Sequence, residues 1–138
     1  MQTWDPEQYL KFCGPRIRPA LDLLAQINLI CPDTVYDLGC GPGNLTEFIQ
    51  QKWPKSKVIG VDSSQEMLAQ ARKKHPNNSW IRADLSDWAP VNPGDVLYSN
   101  AVFQWIKNHR VLLCRLLSYL KKGGVLAFQL PRNWDAPS

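Results

Sequence analysis

The sequence predicts an α/β domain built on a parallel sheet, and two of its features carry that prediction. Short apolar runs alternate with segments of helical period from end to end, the pattern of successive βαβ units. The last such run, VLAFQL at residues 125–130, is apolar at nearly every position, as a strand covered on both faces requires. The 138 residues make one domain, long enough to bury a core. No internal repeat or low-complexity stretch interrupts the pattern.

In chain order, Ile17, Leu21 and Leu24 recur at three- and four-residue steps and predict a helix over roughly 15–28. Thr34–Leu38 reads as the first strand. Gly39, Gly41 and Gly43 follow it. Asn44 and Glu47 then have the spacing of a cap whose glutamate reaches back to free N–H groups. Leu45, Phe48 and Ile49 give that helix its buried face. Lys57–Val61 is the second strand, Ser63 and Glu66 repeat the capping spacing, and Met67, Leu68 and Ala71 line the next helix. Ser79–Arg82 and Asp95–Ser99 are the third and fourth strands. A helix is expected over His109–Lys122, with Leu113, Leu116, Leu117 and Leu120 inward. Lys121 and Lys122 would suit the negative end of its dipole, and Gly123 would stop it. Val125–Leu130 is the fifth strand. Placed outermost it presents a bare edge, which invites a pairing partner or further chain.

Hydrophobic residues are 44% and charged residues 20%, ordinary for a soluble globular protein. The net charge is +4, and the basic residues are scattered except for Lys52 with Lys55 and Lys57, Arg72 with Lys73 and Lys74, and Lys121 with Lys122. These read as solvated helix ends rather than as a nucleic-acid face. Cys13, Cys31, Cys40 and Cys114 include no CxxC pair, so no metal is expected, and free thiols point to a reducing compartment. The opening MQTWDPEQYL is not a signal peptide, and no apolar stretch is long enough to span a membrane. A cytoplasmic location is the expectation.

The glycine run sets the chemistry. Glycines after a first strand let backbone approach a ligand at a helix N-terminus. Asp62, at the end of VIGVDSS and about 20 residues past the loop, can accept from both hydroxyls of a ribose. Asp84 in IRADLSDW can accept from an adenine amine, with Leu85 against the ring. Dinucleotides and S-adenosylmethionine (SAM) both fit so far, and charge separates them. A pyrophosphate wants free N–H donors, but Pro42 removes one and Asp37 would repel the phosphates. The G-x-G-x-x-G fingerprint also fails at Asn44. SAM has no phosphate; it carries an ammonium and a sulfonium, which a nearby carboxylate such as Asp37 favours.

The run D-x-G-x-G-x-G with an acid ending the second strand resembles the class I SAM-dependent methyltransferases. WDPEQYLKF (4–12), RIRPALDLL (16–24), DLGCGPGN (37–44), GVDSSQEML (60–68), ADLSDW (83–88), SNAVFQW (99–105) and QLPRNW (129–134) resemble, within that class, the trans-aconitate methyltransferase family over the whole chain. The resemblance implies a Rossmann-like, doubly wound sheet of strand order 3-2-1-4-5, stopping here before two further strands that the family adds. It implies a single domain over 1–138, with 1–30 as a helical lid segment and 31–138 as the core. It implies cofactor contacts at Gly39, Gly41, Asp62, Ser63, Met67, Asp84, Leu85 and from Asn100 through Ala101 to Gln104, with Tyr9 and Arg16 closing over them.

The implied reaction is methyl transfer from SAM to a carboxylate of a small polycarboxylic acid, leaving S-adenosylhomocysteine (SAH). A carboxylate needs no general base to attack a sulfonium methyl, so no catalytic residue of that kind is expected. Arginine forks suit a polycarboxylate, which nominates Arg16, Arg18 and Arg132. Trp105 and Trp134 can wall the pocket, and His109 lies close enough in sequence to the fourth-strand end to touch substrate. Asn100-Ala101-Val102-Phe103 stands where base-amine methylases of DNA carry Asn/Asp-Pro-Pro-aromatic, which lowers a nucleic-acid role. Other readings are a domain that holds SAM or SAH without turnover, a methyltransferase for another small acceptor, an RNA methyltransferase and a dinucleotide oxidoreductase. The bare fifth strand is also a route to edge-to-edge dimers.

Overall fold

In the computed structural model, which describes residues 18–100 and 108–129, helices and strands alternate as the apolar pattern requires. They are α1 (Arg18–Ala25), β1 (Thr34–Leu38), α2 (Asn44–Lys52), β2 (Lys57–Asp62), α3 (Gln65–Lys74), β3 (Ser79–Arg82), β4 (Gly94–Asn100), α4 (His109–Leu117) and β5 (Leu120–Gln129). The strands form one sheet in the order β3-β2-β1-β4-β5, parallel throughout. Asp37 of β1 stands opposite Gly60 of β2 and Tyr98 of β4. The order is that of the Rossmann-like sheet that the resemblance implies.

Alternation along the strands divides the core between two faces. Val35, Val58, Val96, Tyr98 and Ala127 pack against Leu21, Leu24, Phe48 and Ile49 of α1 and α2. Tyr36, Leu38, Ile59, Val61 and Leu97 face the other way, against Leu85, Trp88 and the α4 residues Leu112 and Leu116. Tyr98 is fully buried, and its hydroxyl donates to the Ala20 carbonyl at 2.8 Å, tying α1 to the middle of the sheet. Among the described residues, no helix is long and apolar enough to cross a membrane.

Several boundaries differ from the expectation, each for a local reason. Gly43, not Asn44, is the N-cap of α2, with φ 90° and no side-chain cap bond. That left-handed turn needs glycine, and a Cβ there would come within 2.9 Å of the Trp80 ring. Ser64, not Ser63, caps α3, its Oγ accepting from Met67 N at 3.2 Å. Asp62 sets that shift by accepting from the Ser64 N–H at 3.0 Å. In α3, Leu68 and Ala71 are buried whereas Met67 is exposed.

The largest difference follows β4. Helix α4 stops at Leu117 rather than Lys122, and Leu117 is exposed while Leu112 takes the inward place. Lys121 has joined β5, where its ammonium meets Asp95 at 3.3 Å and Asp33 at 3.7 Å. Gly123 is therefore no helix stop. It lies, at φ 83°, in an irregular stretch where the β4–β5 register breaks between the Gly94–Leu120 and Val96–Val125 pairs. Strand β5 is outermost, and Val125, Leu126 and Phe128 are only partly buried.

Candidate functional site

Strand β1 pairs with β2 on one side and β4 on the other, so the sheet reverses its winding at β1. In open α/β sheets ligands lodge beyond the carboxyl ends of the strands at such a reversal. The glycine loop lies there, with Gly39 at φ 73° and Gly41 at φ 57°. Leu38 pairs with Ser99, which sets Asn100 level with Gly39.

The loop's own donors are consumed. Gly39 N and Cys40 N both donate to the Val61 carbonyl, at 2.7 and 3.1 Å, and Gly43 N donates to the Cys40 carbonyl at 3.1 Å. Gly41 N donates to Asp62 Oδ1 at 3.3 Å, and Pro42 has no N–H. A Cβ at Gly41 would meet nothing within 4 Å, so this part of the loop faces open space. It offers close approach to backbone without donors for a phosphate.

Asp62 ends β2. Its Oδ1 serves Gly41 and its Oδ2 serves Ser64, which fixes the carboxylate. Each oxygen keeps a second lone pair, enough to receive two vicinal hydroxyls. Ser63 is exposed beside it. Asp37 is buried below the loop and accepts from Thr46 Oγ1 of α2 at 2.6 Å. Burial, partly offset by the Thr46 bond and reinforced by Asp62, pushes its carboxyl up to about 7. Asp37 thus presents no open face to the crevice. The Cys40 thiol is buried and pushed far up, by desolvation and then by Asp37 and Asp62, which makes it a poor nucleophile.

The segment after β3 reaches the same crevice. Ala83 N donates to the Asp62 carbonyl at 3.0 Å, bringing Asp84 and Leu85 beside Asp62. Asp84 is exposed, and its Oδ1 accepts from Ser86 N at 2.9 Å. Bonds from the Ser86 backbone and hydroxyl hold its carboxyl below the usual range. Leu85 is buried. From α4, the Arg115 guanidinium donates to the carbonyls of both Leu85 and Ser86.

Gly39, Gly41, Asp62, Ser63, Asp84, Leu85 and Asn100 thus gather at one end of the sheet, with Asp37 beneath and Met67 exposed in the first turn of α3. His109 opens α4 half-buried, and Arg18 pairs with Asp22 at 3.7 Å on α1. Tyr9, Arg16, Ala101, Gln104, Trp105, Arg132 and Trp134 lie outside the described residues. Four participants escaped sequence reasoning: Thr46, Ser64, the Val61 carbonyl and Arg115. A hydroxyl, a backbone oxygen and a helix arginine have no spacing signature, and only the fold brings them to the loop.

A methyltransferase domain family matches residues 35–124. The chain is 54% identical to a trans-aconitate 2-methyltransferase of Azoarcus sp. (strain BH72), over 100% of its own length and 54% of that protein. It spans about half the length of the curated relatives it matches. Among solved structures, an S-adenosylmethionine-dependent methyltransferase from Mesorhizobium loti superposes with a TM-score of 0.71 at 28% identity, covering 83% of this chain and 53% of that one. The plantazolicin methyltransferase BpumL in complex with SAH gives 0.65 at 28% identity, covering 70% and 38%.

Proposed function

The chain belongs to the methyltransferase domain family, and on that premise we propose that it binds SAM in this crevice and methylates a carboxylate of a small polycarboxylic acid of the trans-aconitate kind. The loop chemistry carries the cofactor assignment. Its N–H groups from Gly39 to Gly43 are all spent internally while Gly41 faces open space. Such a surface offers a phosphate no donors, whereas the Asp62 carboxylate sets a field that favours a cation, and a cation arriving above Asp37 favours ionisation of that buried carboxyl. The trans-aconitate kind of acceptor rests on the relatives' names.

In this reading Asp62 receives the ribose hydroxyls and Asp84 the adenine amine; Leu85, expected against the ring, has its side chain in the core cluster with Leu38 and Val61, so that only its backbone can border the base. Asp37 draws the ammonium end by its field, and Asn100, Ala101 and Gln104 border the methionine part. When bound, SAM supplies an electrophilic methyl: an acceptor carboxylate oxygen gives its electron pair to that carbon as the S–CH3 pair returns to sulfur, leaving SAH and a methyl ester. The chain's residues need only align the two, and none need take up a proton. Tyr9 and Arg16 contribute to the cofactor site from the segment that precedes α1, a helix that itself belongs to the core rather than to a lid. Arg132, Trp105 and His109 serve the acceptor.

Calorimetric titration with SAH tests the cofactor half. The wild-type chain is expected to bind in the micromolar range, and Asp62→Ala to lose at least about tenfold in affinity. NAD is expected not to bind. A folded wild-type chain that ignores SAH, or that takes NAD as well, overturns the assignment. Methyl ester formation from trans-aconitate tests the acceptor half. A domain that holds SAM without turnover is the second reading; SAH binding without ester formation would select it.

The same reading places the protein in the cytoplasm, with edge-to-edge dimers through β5 and no nucleic-acid partner. Arg72, Lys73 and Lys74 occupy the last turn of α3, where cations complement the carbonyl end of a helix. Concentration-dependent sedimentation and salt-dependent RNA titration check the two partner statements.

A further inference from the structure

The base-side loop is held by a residue that does not reach the cofactor. Residues 83–88 connect to β4 without a helix of their own, and Asp84 is exposed at their start. A carboxylate there reads an adenine amine only if its backbone is held still. Local bonds turn the segment back on itself: Ser86 N to Asp84 Oδ1 at 2.9 Å and Asp87 N to Asp84 O at 3.1 Å. The bonds from outside come at two places. Ala83 N ties the segment to the Asp62 carbonyl at 3.0 Å. On the far side of Asp84, Arg115 grips the successive carbonyls of Leu85 and Ser86 with Nη2 and Nη1.

Asp84 thus lies between two anchors, one on β2 and one on α4. The second is a planar fork spanning two peptide units, a shape that a lysine ammonium cannot copy. Among the described residues Arg115 Nε is buried with no hydrogen-bond partner, a cost that the bonds from the two Nη groups offset. Trp88 fixes the segment's far end, its ring edge-on to Tyr36 at 5.2 Å and to Tyr119 at 5.8 Å. We propose that Arg115 is the positioning residue for adenine selectivity: by clamping the Leu85 and Ser86 carbonyls it holds Asp84 in register with the exocyclic amine. The inference rests on the reading of Asp84 as the base acceptor.

The test compares SAH with its inosine counterpart, in which a carbonyl oxygen replaces the exocyclic amine. Titrations use the wild-type chain, Asp84→Asn, Asp84→Ala, Arg115→Leu and Arg115→Lys, each checked for folding by circular dichroism. The wild type is expected to prefer SAH by about tenfold. Arg115→Leu is expected to lose that preference by weakening SAH alone, the inosine ligand changing less than about twofold. Arg115→Lys, which keeps the stem and the charge but reaches one carbonyl, is expected to lie between and serves alone should the leucine variant not fold. A merely structural arginine would weaken both ligands equally and leave their ratio intact; that result, in either variant, overturns the inference. If Asp84→Asn abolishes the preference while the Arg115 variants keep it, only the clamp fails. If the preference survives Asp84→Ala, which has no acceptor left, as well as Asp84→Asn, the base-side reading fails and the clamp with it.

Discussion

Asp37 holds an unusual position for a carboxyl group: it is 2% exposed in the middle strand of the sheet, where it accepts a hydrogen bond from Thr46. Its neighbours raise the cost of ionising it, Asp62 from the end of β2 and the apolar face around it. A carboxyl whose folded value lies near 7, above its value of 3.8 in open chain, binds more protons folded than unfolded. Its contribution to stability is whole below about pH 4 and is lost as the pH rises through about 7. Urea midpoints of the wild type are therefore expected to fall between pH 4.5 and 8 relative to those of Asp37→Asn, whose amide oxygen keeps the Thr46 bond. Parallel midpoint curves for the two proteins would show that Asp37 ionises freely. The sequence placed this residue at the loop but not beneath it. Strand alternation puts Asp37 on the face of Val35, towards α2, and the partner hydroxyl nine positions on has no mark that distinguishes it from any helix threonine. The place of Asp62 was legible because it depends only on where a strand ends, which the apolar run VIGV displays directly.

Among the elements, β1, β4 and β5 are fastened at their amino ends by one side chain. Asp95 accepts from Asp33 N at 2.8 Å and Thr34 N at 2.9 Å, and from Lys121 at 3.3 Å. Partial burial alone would raise its carboxyl, but the bonds from Thr34, Lys121 and Asp33 outweigh that and lower it. Asp95→Ala strands two backbone donors and a lysine, and is expected to lose about 1–3 kcal/mol by urea unfolding at neutral pH. Because the folded value is depressed, the loss should shrink as the pH falls through the carboxylate range, where the wild type forfeits the same bonds. This clasp also explains which boundaries sequence could not supply. Leu113, Leu116, Leu117 and Leu120 read convincingly as one helical stripe. Yet Lys121 joins β5 beside Asp33 and Asp95, and those acids lie far away in the chain. The glycine loop and the existence of the five strands rest on neighbours a few residues apart and were readable, and the cap near Asp62 was off by one residue where two adjacent serines competed; β5, however, begins at Leu120 rather than Val125, and the order of the strands came with the family resemblance.

At the scale of the molecule, the cofactor crevice is made by segments that meet only in the fold: the β1 loop, the end of β2 and the turn after β3, with α4 behind. A ligand that binds only this assembled state stabilises all of it. SAH at about 100 times its dissociation constant contributes about 2.7 kcal/mol, which for a chain of this size raises Tm by roughly 10 °C. The shift is expected for the wild type, and no more than about half of it for Asp62→Ala; an equal shift in both would place the ligand elsewhere. The central position of β1 has one more consequence, and it concerns time. Its first neighbour, β2, begins at Lys57, but its second, β4, begins at Gly94. A ribosome adding roughly 5–20 residues per second finishes Leu38 several seconds before β4 has emerged. For that interval the strand that becomes the middle of the sheet is an open edge on a nascent chain, and whatever guards this protein against aggregation must guard it then.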